Sequence, residues 1–101
     1  MYGTVAHMRM KPGAEASLMA QLRAFGALPV PGYQATYVYR MDADPRDVYV
    51  AVVFDSKATY EANAESPEQD ARYQDMLTLL EGTPEWHDGE IQAVVTSGAA
   101  V

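Results

Sequence analysis

Residues 47–55 read Asp47-Val48-Tyr49-Val50-Ala51-Val52-Val53-Phe54-Asp55, and the fold turns on how this run is divided between two faces. Side chains alternate across a strand, so one side carries Val48, Val50, Val52 and Phe54 and the other Tyr49, Ala51 and Val53. Both sides are apolar. An antiparallel strand with one wet face shows polar residues at alternate positions, so each face of this one needs a cover. Just upstream, Asp42-Ala43-Asp44-Pro45-Arg46 is turn chemistry. Before the turn, residues 32–41 carry aromatics at alternate positions, which predicts a strand with Tyr33, Tyr37 and Tyr39 on one side. The two strands read as a hairpin.

Working outward, residues 2–10 are β-rich and end at the turn Lys11-Pro12-Gly13. A helix from about Ala14 to Phe25 follows, with Leu18, Leu22 and Phe25 on one face. Gly26 is expected to close it in a left-handed conformation, and Pro29 and Pro31 prevent continuation. Downstream of the hairpin, Ser56 caps a short helix carrying Tyr60 and Asn63. Ser66-Pro67-Glu68-Gln69 then reads as a capping box that opens another helix, with Tyr73, Met76, Leu77 and Leu80 on one face. That helix stops at Gly82. A last strand is expected from about Trp86 to Thr96, in a single domain of residues 1–96 followed by a loose tail, 97–101. The order β-α-β-β-α-α-β predicts an α+β, ferredoxin-like fold: a four-stranded antiparallel sheet with its second helix broken in two. Helices cover one face of that sheet. The apolar second face predicts a homodimer in which two sheets meet and close a dimeric α/β barrel.

Composition narrows the function. The 101 residues hold 14 acids, 7 bases and no cysteine, with 49% apolar residues and a net charge of −7. That is one domain with a thin core, too apolar for disorder and with no run long enough to span a bilayer. Without cysteine there is no disulfide framework, thiol nucleophile or thiolate metal site. No basic n-region leads into an apolar stretch, so a cytoplasmic chain is expected. Residues 1–41 sum to +3 and residues 42–101 to −10. A basic footprint is missing, which excludes nucleic acid and an anionic membrane as expected partners. There is no phosphate loop, nucleophile elbow or histidine pair at metal spacing, so no metal is expected.

Several short motifs carry a resemblance. Met10-Lys11-Pro12-Gly13 opens the first helix, and Pro31-Gly32-Tyr33 leads into Tyr39-Arg40. Phe54-Asp55-Ser56-Lys57-Ala58 marks a strand-to-helix junction, followed by Ser66-Pro67 and the closing Asp88-Gly89-Glu90. With these, roughly residues 2–95 resemble the antibiotic biosynthesis monooxygenase domain of the dimeric α/β-barrel superfamily. The resemblance implies a head-to-head dimer with a ligand cleft between sheet and helices in each subunit. Many members are cofactor-free monooxygenases of polycyclic phenols or quinols, in which the deprotonated substrate itself supplies electrons to dioxygen. It therefore implies no cofactor. The haem-degrading branch has a tryptophan at the position matched by Asn63 and a histidine at that matched by Tyr73, and this sequence has neither.

The candidate catalytic residues are His7, Asn63 and Tyr73. His7 is a candidate to accept a phenolic proton, since imidazoles as a class titrate near neutrality. Asn63 and Tyr73 are polar groups able to face an aromatic ligand. Candidate substrate-binding residues are Arg9, Tyr33, Tyr37, Tyr39, Tyr49, Tyr60 and Trp86. Each also has a packing reading. His7 suits a dimer interface, Arg9 a carboxylate partner, Tyr33, Tyr37, Tyr39 and Tyr49 cross-strand packing, Tyr73 the core, Asn63 a helix surface and Trp86 an anchor. The expected function is a cofactor-independent monooxygenase of a small aromatic or polycyclic phenol or quinol. The alternative is a non-catalytic small-ligand-binding or stress-associated barrel.

Overall fold

In the computed structural model, which describes residues 1–98, the sheet is ordered β2-β3-β1-β4 and is antiparallel throughout. Its elements follow as β1 (Tyr2–Arg9), α1 (Glu15–Gly26), β2 (Tyr33–Arg40), β3 (Asp47–Phe54), α2 (Lys57–Ala64), α3 (Pro67–Leu77) and β4 (Glu85–Glu90). This is the expected ferredoxin-like arrangement. The central strands β1 and β3 pair over their whole length, with Ala6 opposite Val50 and Met8 opposite Val48. These four side chains face the helices and are buried, where they pack with Leu18, Met76, Leu80 and Met10 into the core. No helix of the described residues is long and apolar enough to cross a membrane.

The helix ends follow local chemistry. Ser56 Oγ accepts from Thr59 N at 3.2 Å, and Ser66 Oγ accepts from Gln69 N at 3.1 Å. The expected capping box forms only its serine half. Ser66 N donates to Asn63 O at 3.0 Å, so Gln69 turns instead to accept from Arg72 Nε at 3.0 Å. Gly26 does not take the left-handed conformation: α1 runs through it to a C-cap at Ala27 in the right-handed region. The left-handed glycines are Gly13, Gly32 and Gly82, and at Gly32 a Cβ would collide with Thr59 and Asp55.

Two further sequence expectations are corrected. The last strand stops at Glu90, not Thr96, because Glu90 already pairs with Tyr2 and β1 offers nothing beyond its first residue. Ile91 N makes one further bond, to Met1 O at 2.9 Å. Of the expected tail, residues 99–101 lie outside the described residues. The second correction concerns the tyrosines. Register shifts between Tyr33 and Ala35, leaving Gln34 as an extra residue in β2. A one-residue insertion reverses the side on which every residue before it points. Tyr33 therefore joins Phe54 on the helix-covered face, while Tyr37 and Tyr39 stay on the open one.

Candidate functional site

Between the covered face of the sheet and the three helices lies a cleft of about 390 Å³, within the range of small-molecule sites. The sheet supplies its floor through Thr4, Met8, Val50, Val52 and Phe54. Helix α1 contributes Gln21, Leu22 and Phe25, α2 contributes Tyr60 and Asn63, and α3 contributes Arg72, Tyr73 and Met76. Trp86 and Asp88 close the β4 side. The walls are aromatic. Tyr73 and Trp86 meet at a ring separation of 6.0 Å, and Tyr60 stands edge-on to Phe54 at 5.6 Å. Trp86 reaches this side because it pairs with Ala6, whose side chain points the same way.

Several polar groups of the cleft are held by hydrogen bonds. Tyr60 Oη donates to Asp88 Oδ1 at 2.8 Å, joining α2 to β4. Burial, and then this bond to a carboxylate, raise the Tyr60 phenol above its ordinary value, so it stays neutral through neutral pH. Arg72 lies over the Phe25 ring at 5.1 Å from its centroid. Its Nη2 reaches toward Asn63 Oδ1 at 3.5 Å, and its carbonyl accepts from Gln21 Nε2 at 2.7 Å. A second hollow lies beyond Leu22 and Thr36, lined by Tyr33, Arg23 and an Arg40–Glu15 ion pair.

Four of the ten sequence candidates share the cleft: Asn63, Tyr73, Tyr60 and Trp86. Tyr33 packs beside it, edge-on to Phe25 and Phe54, and lines the second hollow. The other five are on the opposite face of the sheet. His7 does not join Asn63 and Tyr73, because it pairs with Tyr49 in β3 while its neighbours Ala6 and Met8 take the helix side. Its ring stacks on Tyr49 at 4.8 Å and its Nε2 contacts Asp47 Oδ1 at 3.3 Å.

Arg9 is held by carboxylates. Its Nη1 donates to Asp44 Oδ2 at 2.9 Å and to Asp47 Oδ1 at 3.0 Å, and its Nε lies 3.3 Å from Glu81 Oε2. These bonds raise the Arg9 pKa further, and the Arg46 backbone N–H followed by Arg9 hold Asp44 below the ordinary carboxylate range. Tyr37, Tyr39 and Tyr49 are 57%, 58% and 40% exposed, and Val5 beside them is 49% exposed. For a lone chain that is a large apolar area in water.

Sequence reasoning missed Arg72, Gln21, Phe25 and Asp88 as cleft residues. One signal for Arg72 was available. It is the sole lysine or arginine after Lys57 in a strongly acidic half, next in the chain to Tyr73.

Comparison with known proteins agrees with this fold. A family model described as antibiotic biosynthesis monooxygenase matches residues 1–74. Among solved structures, a candidate antibiotic biosynthesis monooxygenase from Chloroflexus aurantiacus is similar at 26% identity and a TM-score of 0.74, covering 96% of this chain and 98% of that one. SnoaB, a cofactor-independent oxygenase from Streptomyces nogalater seen as its N63A mutant, superposes with a TM-score of 0.79 at 14% identity, covering 95% and 97%. A protein of unknown function from Nitrosomonas europaea matches at 22% identity and a TM-score of 0.73, covering 96% and 94%. No curated protein matches the chain significantly.

Proposed function

Because the chain belongs to the antibiotic biosynthesis monooxygenase family, we propose that it is a cofactor-independent monooxygenase acting on a small aromatic or polycyclic phenol or quinol. The observation that carries this reading is the convergence of Asn63, Tyr73 and Trp86 on one aromatic-walled cleft. A flat ring system stacks against such walls, and fixed polar groups at one edge set its orientation. In an anthrone-type substrate the reacting methylene first loses a proton. Asp88, the carboxylate beside Tyr60, takes the accepting role that His7 on the far face does not fill. Asn63 and Tyr73 donate to the ring oxygen on which negative charge develops. The carbanion then passes electrons to dioxygen, a C–O bond forms, and the hydroperoxide loses water. In sum, the ring methylene and dioxygen become a ring carbonyl and water. One atom of the dioxygen enters each product, and both methylene hydrogens leave in the water.

The same reading pairs two copies through the open sheet face, where Val5, Tyr37, Tyr39 and Tyr49 form a self-complementary apolar patch. One observation favours a second reading, that of a non-catalytic binding barrel. No histidine stands among the cleft-lining residues described, and Asp88 is already engaged by Tyr60. Incubation of metal-free protein with anthrone under isotopically heavy dioxygen separates the two. Label in the quinone product, above that formed spontaneously, supports the oxygenase. Ligand binding with spontaneous-rate product only supports the barrel.

A further inference from the structure

Arg72 is the one arginine that lines the cleft, and like Arg23 it has no ion pair among the described residues. Arg9, Arg40 and Arg46 each have a carboxylate partner within ion-pair distance, as suits a chain of net charge −7. The side-chain partners of Arg72 are neutral: Gln69 Oε1 at 3.0 Å, Asn63 Oδ1 at 3.5 Å and the face of Phe25. These contacts orient the guanidinium without cancelling its charge. Gln69, left out of the expected capping box, gives its oxygen to Arg72.

The position is half-buried and within the aromatic cleft. Asp70 and Asp88 also line the cleft, yet neither forms an ion pair with Arg72. In the same wall, Gln21 gives its Nε2 to the Arg72 carbonyl and leaves its Oε1 buried with no partner. A planar cation held in place on an aromatic face, with donors to spare, matches an anionic oxygen on a flat ligand. The unpartnered Gln21 oxygen suits a donor on that same ligand, such as a ring hydroxyl.

We infer that Arg72 is the anion-recognition residue of the cleft, and that the ligand is an aromatic compound carrying an ionised oxygen, a carboxylate or phenolate. This rests on the reading of the cleft as the substrate site and narrows the substrate to acidic aromatics. Asn63 then acts both toward the ligand and on the guanidinium that holds it.

The test uses two flat bicyclic probes of similar size, 2-naphthoate and 2-naphthol, titrated into the intact protein at pH 7 by calorimetry. A hydrogen bond to a charged group is worth about 1.5–3 kcal/mol, so wild type should bind the naphthoate about 10- to 100-fold more tightly. Arg72→Gln should abolish that preference while leaving naphthol affinity within about twofold, and Arg72→Lys should keep part of it. Equal binding of both probes by wild type, or a preference surviving in Arg72→Gln, overturns the inference and leaves the cleft reading intact. Binding of neither probe overturns both. The wild-type comparison decides the matter even where Arg72→Gln fails to fold.

Discussion

The hydroxyl of Tyr60 donates to Asp88 Oδ1 at 2.8 Å, so one bond closes the cleft between helix α2 and the end strand β4. Burial and the neighbouring carboxylate raise the Tyr60 phenol above the ordinary tyrosine value of about 10. The folded state thus retains a proton that the unfolded state gives up near pH 10. That contribution is fully present below pH 10 and is lost as pH rises toward the folded value. Urea unfolding followed from pH 8 to 11 should show stability falling above about pH 10 in wild type and falling less steeply in Tyr60→Phe. At pH 7 the same substitution should cost about 1 kcal/mol.

Deletion of Gln34 removes the extra residue of β2 and restores strict alternation through Tyr33. Tyr33 then directly precedes Ala35, so it stays opposite Phe54 on the covered face and keeps Phe25 and Phe54, its neighbours at 4.7 and 5.6 Å. Chemical denaturation should therefore show the deletion costing less than Tyr33→Ala, which removes the ring itself and should cost about 2 kcal/mol or more. Gln34→Ala, which keeps the residue count, should change stability by less than about 0.5 kcal/mol.

Arg9 sits among Asp44, Asp47 and Glu81 on the open face. The lowered Asp44 pKa means its contribution is present above the unfolded value near 4 and lost as pH falls below it. Arg9→Ala should therefore lower the urea midpoint at pH 7, and the gap from wild type should close below about pH 3.

Tyr49 lies at the centre of the exposed patch, stacked on His7 and paired with Tyr39. Under the proposed assembly, Tyr49→Arg places two like charges across the two-fold axis. Sedimentation velocity should show wild type as a dimer at micromolar concentration, with Tyr49→Arg shifted to monomer and retaining its circular dichroism spectrum. A monomeric wild type would remove the face-to-face arrangement.

The fold was legible because β3 announces itself: Val48, Val50, Val52 and Phe54 alternate with Tyr49, Ala51 and Val53, and turns flank the run. The helices were legible from Leu18, Leu22 and Phe25 and from the serines that cap α2 and α3. The site was legible only where helical spacing carried it, at Tyr60, Asn63 and Tyr73. The face taken by His7 depends on register, since either choice leaves β1 with one apolar side, and pairing settles it only once Ala6 meets Val50. Tyr33 was misplaced because a bulge is a pairing event with no mark in the residue string. Residues 91–96 have strand-forming side chains, but a strand needs a neighbour and β1 ends opposite Glu90. Arg72 escaped notice because its meaning lies in the carboxylates it lacks.

The central claim is that the cleft shared by Asn63, Tyr73 and Trp86 carries out an oxygenation. Dioxygen uptake by metal-free protein with anthrones and naphthoquinols tests it most directly, comparing wild type with Asn63→Ala and Tyr73→Phe. The account predicts uptake well above the spontaneous rate in wild type, falling about 10-fold or more in at least one variant, since loss of one oxyanion donor costs about 10²–10³ in well-studied cases. Uptake at the spontaneous rate across the panel, or uptake unchanged in both variants, would contradict it.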